Sequence, residues 1–294
     1  MILCPGQGGQ HGGMFELARS HPDACMLLDE CGLTVDAGAG FSNRVAQPTI
    51  VAATLAMWQA VRGFAPMPAL VAGYSIGELA AHSVAGALTP LDAIALAHAR
   101  AQTMDACLAS GPEQALVAIA ALPLAHIAQL IDDTAFAIAI ETSEDSCIAG
   151  GYAAHLPALT EKINAAGGRI QRLAVEIASH TRHMAQAVAP FSELLRASHF
   201  QPQTAPLLSG ISATTIDGKA QAVEHLSRQL AQKIRWMDCM DAASELAVTV
   251  ALELGPGQAL SRMLQARHPG IDSRSVADFR SLAGIEKWLG RHFD

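Results

Sequence analysis

The chain has 294 residues, 51% of them hydrophobic and 16% charged, which is enough apolar material for a large core and excludes global disorder. Nineteen Lys+Arg against 27 Asp+Glu give a formal charge of −8, and no basic run is present, which argues against a nucleic-acid surface.

Met1–Cys4 is a short apolar run ending in Pro5-Gly6-Gln7-Gly8-Gly9-Gln10, a strand that enters a glycine-rich turn. Pro48 is expected to open a helix reaching about Val61, because proline at a first helical position gives up an N–H that would have no partner there. Ala69–Ala72 is a second buried strand, followed by Gly73-Tyr74-Ser75-Ile76-Gly77 and an alanine-rich helix. Thr89-Pro90-Leu91-Asp92 carries the cap, the proline and the acid of a helix start. From Leu116 the expected order is strand (Leu116–Ala120), helix (Leu124–Ile131), strand (Phe136–Glu141), strand (Cys147–Ala149), helix (His155–Ala166) and strand (Arg169–Val175). Pro206–Ser209 and Val248–Leu254 then resume short buried strands with helices between them.

Strand, glycine turn and helix in alternation specify a parallel, helix-covered sheet, and β-α-β-β-α-β is the ferredoxin-like order. The expected fold class is therefore α/β. Residues 1–114 and 177–294 form a large discontinuous α/β-hydrolase-like domain, and residues 115–176 form a small inserted ferredoxin-like α+β domain. The six cysteines (Cys4, Cys25, Cys31, Cys107, Cys147, Cys239) contain no C-x-x-C pair. They read as reduced core residues of a cytoplasmic protein, with no disulfide frame and no metal site. No basic leader precedes an apolar run, and no uncharged stretch makes a convincing membrane span, so no membrane partner is expected.

Gly73-Tyr74-Ser75-Ile76-Gly77 is the strongest chemical signal. In G-x-S-x-G between a strand and a helix, the glycines permit a sharp turn that presents the serine, and the helix start offers N–H groups to a developing oxyanion. The bland reading is a strand–helix turn with an incidental serine. Twelve histidines compete as its base. His180, in Ala178-Ser179-His180 after the last strand of the small domain, lies in the kind of connecting loop where catalytic groups sit, although a lone histidine is more often packed or solvated. Arg100 falls in the apolar stripe Ala93, Leu96, Ala97, Met104 and Cys107 of its helix. A guanidinium facing the interior needs a partner: either a structural carboxylate or a substrate carboxylate held bidentately. The glycines match neither a dinucleotide fingerprint nor a P-loop.

Taken together, these motifs resemble the malonyl-CoA:acyl-carrier-protein transacylase family over nearly the whole chain. Pro5-Gly6-Gln7-Gly8 is similar to its opening P-G-Q-G, and Gly73–Gly77 with Glu78 to its G-H-S-x-G-E. Arg100 stands 25 residues after Ser75, Ser179-His180 resembles the catalytic S-H, Gln229-Leu230 precedes Trp236 by seven residues, and Glu253-Leu254-Gly255-Pro256-Gly257 is similar to E-x-G-P-G. The resemblance implies Ser75 as nucleophile, His180 as general base and acid, and the Gln229 backbone carbonyl in place of a triad carboxylate. It further implies an oxyanion hole from the Gln7 and Ile76 N–H groups, and Arg100 as the holder of a malonyl carboxylate. The implied reaction carries malonyl from malonyl-CoA through Ser75 to the phosphopantetheine-type thiol of an acyl carrier protein, ping-pong and without cofactor or metal.

Three departures stand out. Tyr74 replaces the usual histidine before the nucleophile. Glu141-Thr142-Ser143-Glu144-Asp145 replaces an N-x-P-x-Q segment. Ser179 precedes His180, which leaves malonyl against methylmalonyl partly open. The Ile2–His11 opening together with Gly73-Tyr74-Ser75 is most similar to the epsilon, or transacylase, subunit of malonate decarboxylase, which implies that enzyme's carrier subunit as acceptor. The alternatives are a transacylase of fatty-acid or polyketide synthesis, a serine hydrolase or thioesterase, and an idle carrier-docking subunit.

Overall fold

The computed structural model describes residues 1–33, 42–109 and 111–293. The chain begins with β1 (Ile2–Cys4), α1 (Pro22–Cys31), α2 (Asn43–Val61), β2 (Val71–Gly73), α3 (Gly77–Val84) and α4 (Pro90–Leu108). It continues through β3 (Gln114–Ala120), α5 (Leu124–Ile131), β4 (Ala137–Ser143), β5 (Ser146–Tyr152), α6 (Leu156–Ala165) and β6 (Arg169–Arg172). The last part holds α7 (Ala185–Ala197), β7 (Leu207–Leu208), α8 (Gly218–Arg228), α9 (Trp236–Glu245), β8 (Val250–Glu253), α10 (Ala259–Arg267), β9 (Asp272–Ser275) and α11 (Leu282–Phe293).

Two sheets result. The first has five parallel strands in the order β7-β2-β1-β8-β9. Its strands β1, β2 and β8 are buried along their whole length, as parallel strands covered on both faces must be. One core lies between this sheet and helices that include α2, α3 and α7, where Val51, Leu55, Leu79 and Phe191 are nearly inaccessible; a second lies under α9 and α10, around Trp236 and Leu264. The second sheet is antiparallel in the order β4-β5-β3-β6. Numbered within its own β-α-β-β-α-β run, that order is 2-3-1-4, with α5 and α6 burying Ile127, Ile131, Leu159 and Ile163 in a third core. The finding behind the expected fold class is thus a parallel sheet with a separate antiparallel one.

Two expectations need correction. Pro48 does not open α2, which begins five residues earlier at Asn43. The first turns are set instead by the Val45 and Ala46 amides donating to the Ser42 carbonyl, at 2.9 and 2.8 Å. Pro48 lies inside the helix, where it cannot donate to the Arg44 carbonyl. Strand β9 has no counterpart in the sequence reading, because Asp272-Ser273-Arg274-Ser275 is polar and sits at the sheet edge. Elsewhere the local signals hold. Thr89 Oγ1 accepts from the Asp92 amide at 3.1 Å with Pro90 at the first turn, and α5 spans Leu124–Ile131 as expected. Among the described residues, no helix is long and apolar enough to cross a membrane.

Candidate active site

Strand β2 delivers Ser75 to the start of α3 through a turn that only its two glycines permit. A Cβ on Gly73 would lie 2.3 Å from the Glu78 amide nitrogen, and one on Gly77 would lie 2.2 Å from the Cys4 carbonyl oxygen. Both obstacles are backbone atoms, so α3 can pack this closely on β1 and β2 only with glycine at both places. Ser75 itself takes φ 55°, in the left-handed region that costs a residue with a Cβ on the order of 1 kcal/mol or more.

His180 comes from the segment after β6 and also has a left-handed backbone, φ 61°. Its amide is tied to the Leu230 carbonyl at 2.8 Å, which fixes the strained turn against the segment after α8. The imidazole bridges two partners. Nε2 lies 2.7 Å from Ser75 Oγ, and Nδ1 lies 2.6 Å from the backbone carbonyl oxygen of Gln229. A carbonyl can only accept, so Nδ1 carries the hydrogen and Nε2 is left with its lone pair toward the serine. Burial pushes the imidazole well down, to about 3, with the Arg100 guanidinium acting in the same direction and the Gln229 bond opposing. His180 is therefore neutral at physiological pH and able to receive the Ser75 proton.

The two amides expected at the oxyanion position lie in the turn after β1 and at the start of α3. Among the described residues neither the Gln7 nor the Ile76 N–H donates to a protein acceptor. Gln7 and Ser75 line the same cleft, and Ile76 follows Ser75 immediately.

Arg100 sits on the buried face of α4 with 2% of its surface exposed. The sequence leaves its partner open between two carboxylates, and the structure supplies neither as a direct contact. Nη1 donates to Gln47 Oε1 at 2.7 Å and Nη2 to Gln229 Oε1 at 3.4 Å, and among the described residues no carboxylate reaches ion-pair distance. Burial lowers the guanidinium to about 10 and Glu78 opposes this, so Arg100 stays cationic. Behind it lies Glu78, wholly buried, whose Oε2 accepts from the Gly210 amide at 3.1 Å and from Gln229 Nε2 at 2.5 Å. Gln229 thus does two things: its backbone carbonyl orients His180, and its side-chain amide stands between Arg100 and Glu78.

Gln47 and the Gln229 side chain are absent from the sequence reading. Gln47 lies in the turn that Pro48 was expected to exclude from α2, and a side-chain amide at 129 residues' separation leaves no periodic trace. The Arg100 stripe is the one signal that could have prompted a search for acceptors on facing helices.

A cleft of about 1320 Å³ opens over Ser75 and His180, walled by both sheets and by α10. Thr142, Glu144 and Ser146 of the β4–β5 hairpin form one wall, and Arg262 and Met263 form the other. Thr142–Asp145 of the departing segment therefore face the cleft, and Glu144 meets Arg267 of α10 at 3.9 Å. Tyr74, at the histidine position, packs edge-on against Trp236 with ring centroids 5.2 Å apart, and burial raises its hydroxyl pKa.

Residues 1–279 match the family described as acyl transferase domain. A malonyl CoA-acyl carrier protein transacylase of Mycobacterium tuberculosis is 30% identical over 301 residues, spanning 97% of this chain and 99% of its own. The polyketide synthase GfsB of Streptomyces halstedii is 32% identical over 287 residues, spanning 89% of this chain and 5% of that polypeptide. Among solved structures, the malonyl-CoA:acyl carrier protein transacylase of Xanthomonas oryzae superposes with a TM-score of 0.92 at 26% identity, over 98% of this chain and 97% of that one.

Proposed function

The chain belongs to the acyl transferase domain family, and on that premise we propose that it moves a malonyl group from malonyl-CoA, through an ester on Ser75, to the thiol of an acyl carrier protein of fatty-acid or polyketide synthesis. It is a malonyltransferase, and the observation that carries the choice of acyl group is Arg100. This buried cation has neutral amides as partners, shares Gln229 with His180 and acts electrostatically on its imidazole, an arrangement that suits a carboxylate brought by the substrate.

In the proposed cycle Ser75 gives its proton to His180 Nε2 as Oγ attacks the thioester carbonyl. The tetrahedral oxyanion accepts from the Gln7 and Ile76 N–H groups, and the Gln229 carbonyl stabilises the imidazolium through Nδ1. Collapse breaks the C–S bond and CoA leaves with the proton from Nε2. A carrier thiol then enters, gives its proton to His180 and attacks the Ser75 ester; collapse breaks the acyl C–Oγ bond, His180 Nε2 returns the proton to Ser75 Oγ, and the malonyl group leaves on the carrier sulfur. Every proton is carried by His180, so the cycle calls on neither metal nor cofactor. Residues 1–114 with 177–294 serve as the catalytic domain and residues 115–176 as the inserted wall of the cleft.

A second reading keeps the same chemistry but gives malonyl to the carrier subunit of malonate decarboxylase. Tyr74 before Ser75 and the Ile2–His11 opening favour it; the malonyl transacylase and polyketide synthase relatives support the first reading. The test is intact-protein mass spectrometry after exposure to malonyl-CoA, acetyl-CoA and methylmalonyl-CoA, followed by discharge onto each of the three kinds of carrier. A malonyl adduct absent in Ser75→Ala and discharged by a carrier thiol is expected, and the carrier that discharges it fastest decides between the readings. Free acid accumulating with no adduct would make the protein a serine hydrolase.

A further inference from the structure

Glu78 is buried as completely as any residue in the molecule, yet the cycle above gives it no task. Its two oxygens differ. Oε2 is saturated by the Gly210 amide and the Gln229 side chain, while Oε1 is buried with no hydrogen-bond partner among the described residues. An unpartnered carboxylate oxygen in such a place is costly while it carries charge. The nearest counter-charge is Arg100, and the influence is mutual: each group shifts the other, although they do not form an ion pair. Gln229 stands between them, accepting from Arg100 at Oε1 and donating to Glu78 at Nε2. Arg100 meanwhile has donors to spare, since a guanidinium carries five N–H groups and two are engaged with Gln47 and Gln229.

The buried charges of this cluster therefore balance without substrate, one cation against one carboxylate. A malonyl carboxylate docking on Arg100 adds a second negative charge to a site where, among the described residues, Arg100 is the cation that acts on Glu78. Building on the malonyl-transferase reading, we propose that Glu78 is an exchangeable counter-ion: it balances Arg100 while no acyl carboxylate is bound and takes up a proton when the malonyl carboxylate arrives to balance Arg100 in its place. The proton has a seat on Oε1, where it leaves both bonds to Oε2 intact. An acetyl group brings no charge and calls for no proton.

The groups facing Glu78 leave it alone to titrate. Arg100 of α4 stays cationic, the Cys239 thiol of α9 is raised by burial and by Glu78 itself, and His180, beyond Arg100, is held neutral. Gly210 contributes only a backbone amide, and Gln47 and Gln229 are uncharged. Burial raises Glu78 to about 7, against the pull of Gly210, Gln229 and Arg100, so a second nearby carboxylate acts on a group already close to its transition at physiological pH. Above about 7 the resting carboxyl is ionised and malonyl must bring a proton in. Affinity for malonyl relative to acetyl then falls as pH rises, by up to about tenfold per unit. Below about 7 the proton is already present and the ratio is flat.

The experiment is calorimetric binding of malonyl-CoA and acetyl-CoA to Ser75→Ala at about pH 8, in two buffers of different ionisation enthalpy, which counts protons taken up per ligand. Malonyl-CoA should take up close to one proton more than acetyl-CoA, and Glu78→Gln in the same background should abolish the difference. Equal uptake for the two thioesters, or a difference that survives Glu78→Gln, overturns the proposal. Should Glu78→Gln fail to fold, the otherwise unaltered enzyme decides through the malonyl-to-acetyl ratio of kcat/KM across pH: the fall above neutrality supports the exchange, and a ratio flat throughout removes it. Ser75 acylated by malonyl-CoA with no differential proton uptake removes only the role of Glu78, whereas no acylation at all removes the malonyl reading with it.

Discussion

Arg100 shows what a single residue can and cannot disclose. Its place in an apolar stripe was legible from helical periodicity, and it is 2% exposed. What holds it was not legible, because Gln47 and Gln229 lie 53 and 129 residues away and neither carries a charge that a pattern would flag. Charge-assisted bonds of this kind contribute about 1.5–3 kcal/mol each. Arg100→Ala is expected to lower kcat/KM for malonyl-CoA by roughly one to two orders of magnitude while leaving acetyl-CoA unchanged or improved. A malonyl-to-acetyl ratio that does not move would make Arg100 a structural cation. His180 adds a pH expectation. Its imidazole lies far below the usual histidine range, chiefly through burial, so the neutral base persists as pH falls through about 6. Acylation by acetyl-CoA, which is free of the Glu78 effect, should show no acid limb near the ordinary histidine pKa. A limb there would mean that the resting imidazole is solvated and titrates freely.

At the scale of elements, the motif that carries Ser75 was legible because its constraint is local. The glycines exist to let α3 approach β1, and the distances make the demand quantitative. Gly77→Ala would place a Cβ 2.2 Å from the Cys4 carbonyl oxygen and 2.5 Å from that of Pro5, both backbone. Neither can move without shifting β1 in the middle of the parallel sheet, so the substitution is expected to destabilise the fold by about 3 kcal/mol, the upper end of overpacking costs. Urea denaturation checks it: an unchanged midpoint would show that the turn relaxes freely. The elements that were not legible failed for equally local reasons. The start of α2 was obscured by Pro48, which in a helix interior contradicts its usual place. Strand β9 pairs in parallel with β8 from an edge, and its sequence of Asp, Ser, Arg and Ser offers no apolar alternation to read. The antiparallel sheet, by contrast, has apolar runs and turn signals that set out β-α-β-β-α-β clearly enough for its element order to be read before any contact was known.

The whole molecule carries a further consequence of burying titratable groups. His82 of α3 is wholly buried, edge-on to Phe200, and among the described residues neither of its ring nitrogens has a hydrogen-bond partner. Burial, aided by His225, lowers it to about 3. In the unfolded chain the same imidazole titrates near 6.5. Below that value the unfolded state binds a proton that the folded state refuses, so stability is lost as pH falls. The loss attributable to His82 approaches about 1.4 kcal/mol per pH unit, or about 2 kcal/mol between neutrality and pH ~5. Glu78 acts with the opposite sign, because its raised folded pKa makes the folded state the better proton acceptor between about 4.5 and 7. Total stability against pH therefore mixes these two with His180, whose imidazole burial also lowers to about 3, and would not isolate any of them. Comparison with His82→Leu separates them, since leucine fills similar space without a ring to charge and leaves Glu78 in place. The variant is expected to lose less stability than the parent on acidification, with the gap between their urea unfolding free energies moving by about 2 kcal/mol in its favour from pH ~7 to pH ~5. Parallel curves over that interval would mean that His82 finds water in the folded state and is protonated there as readily as in the unfolded chain.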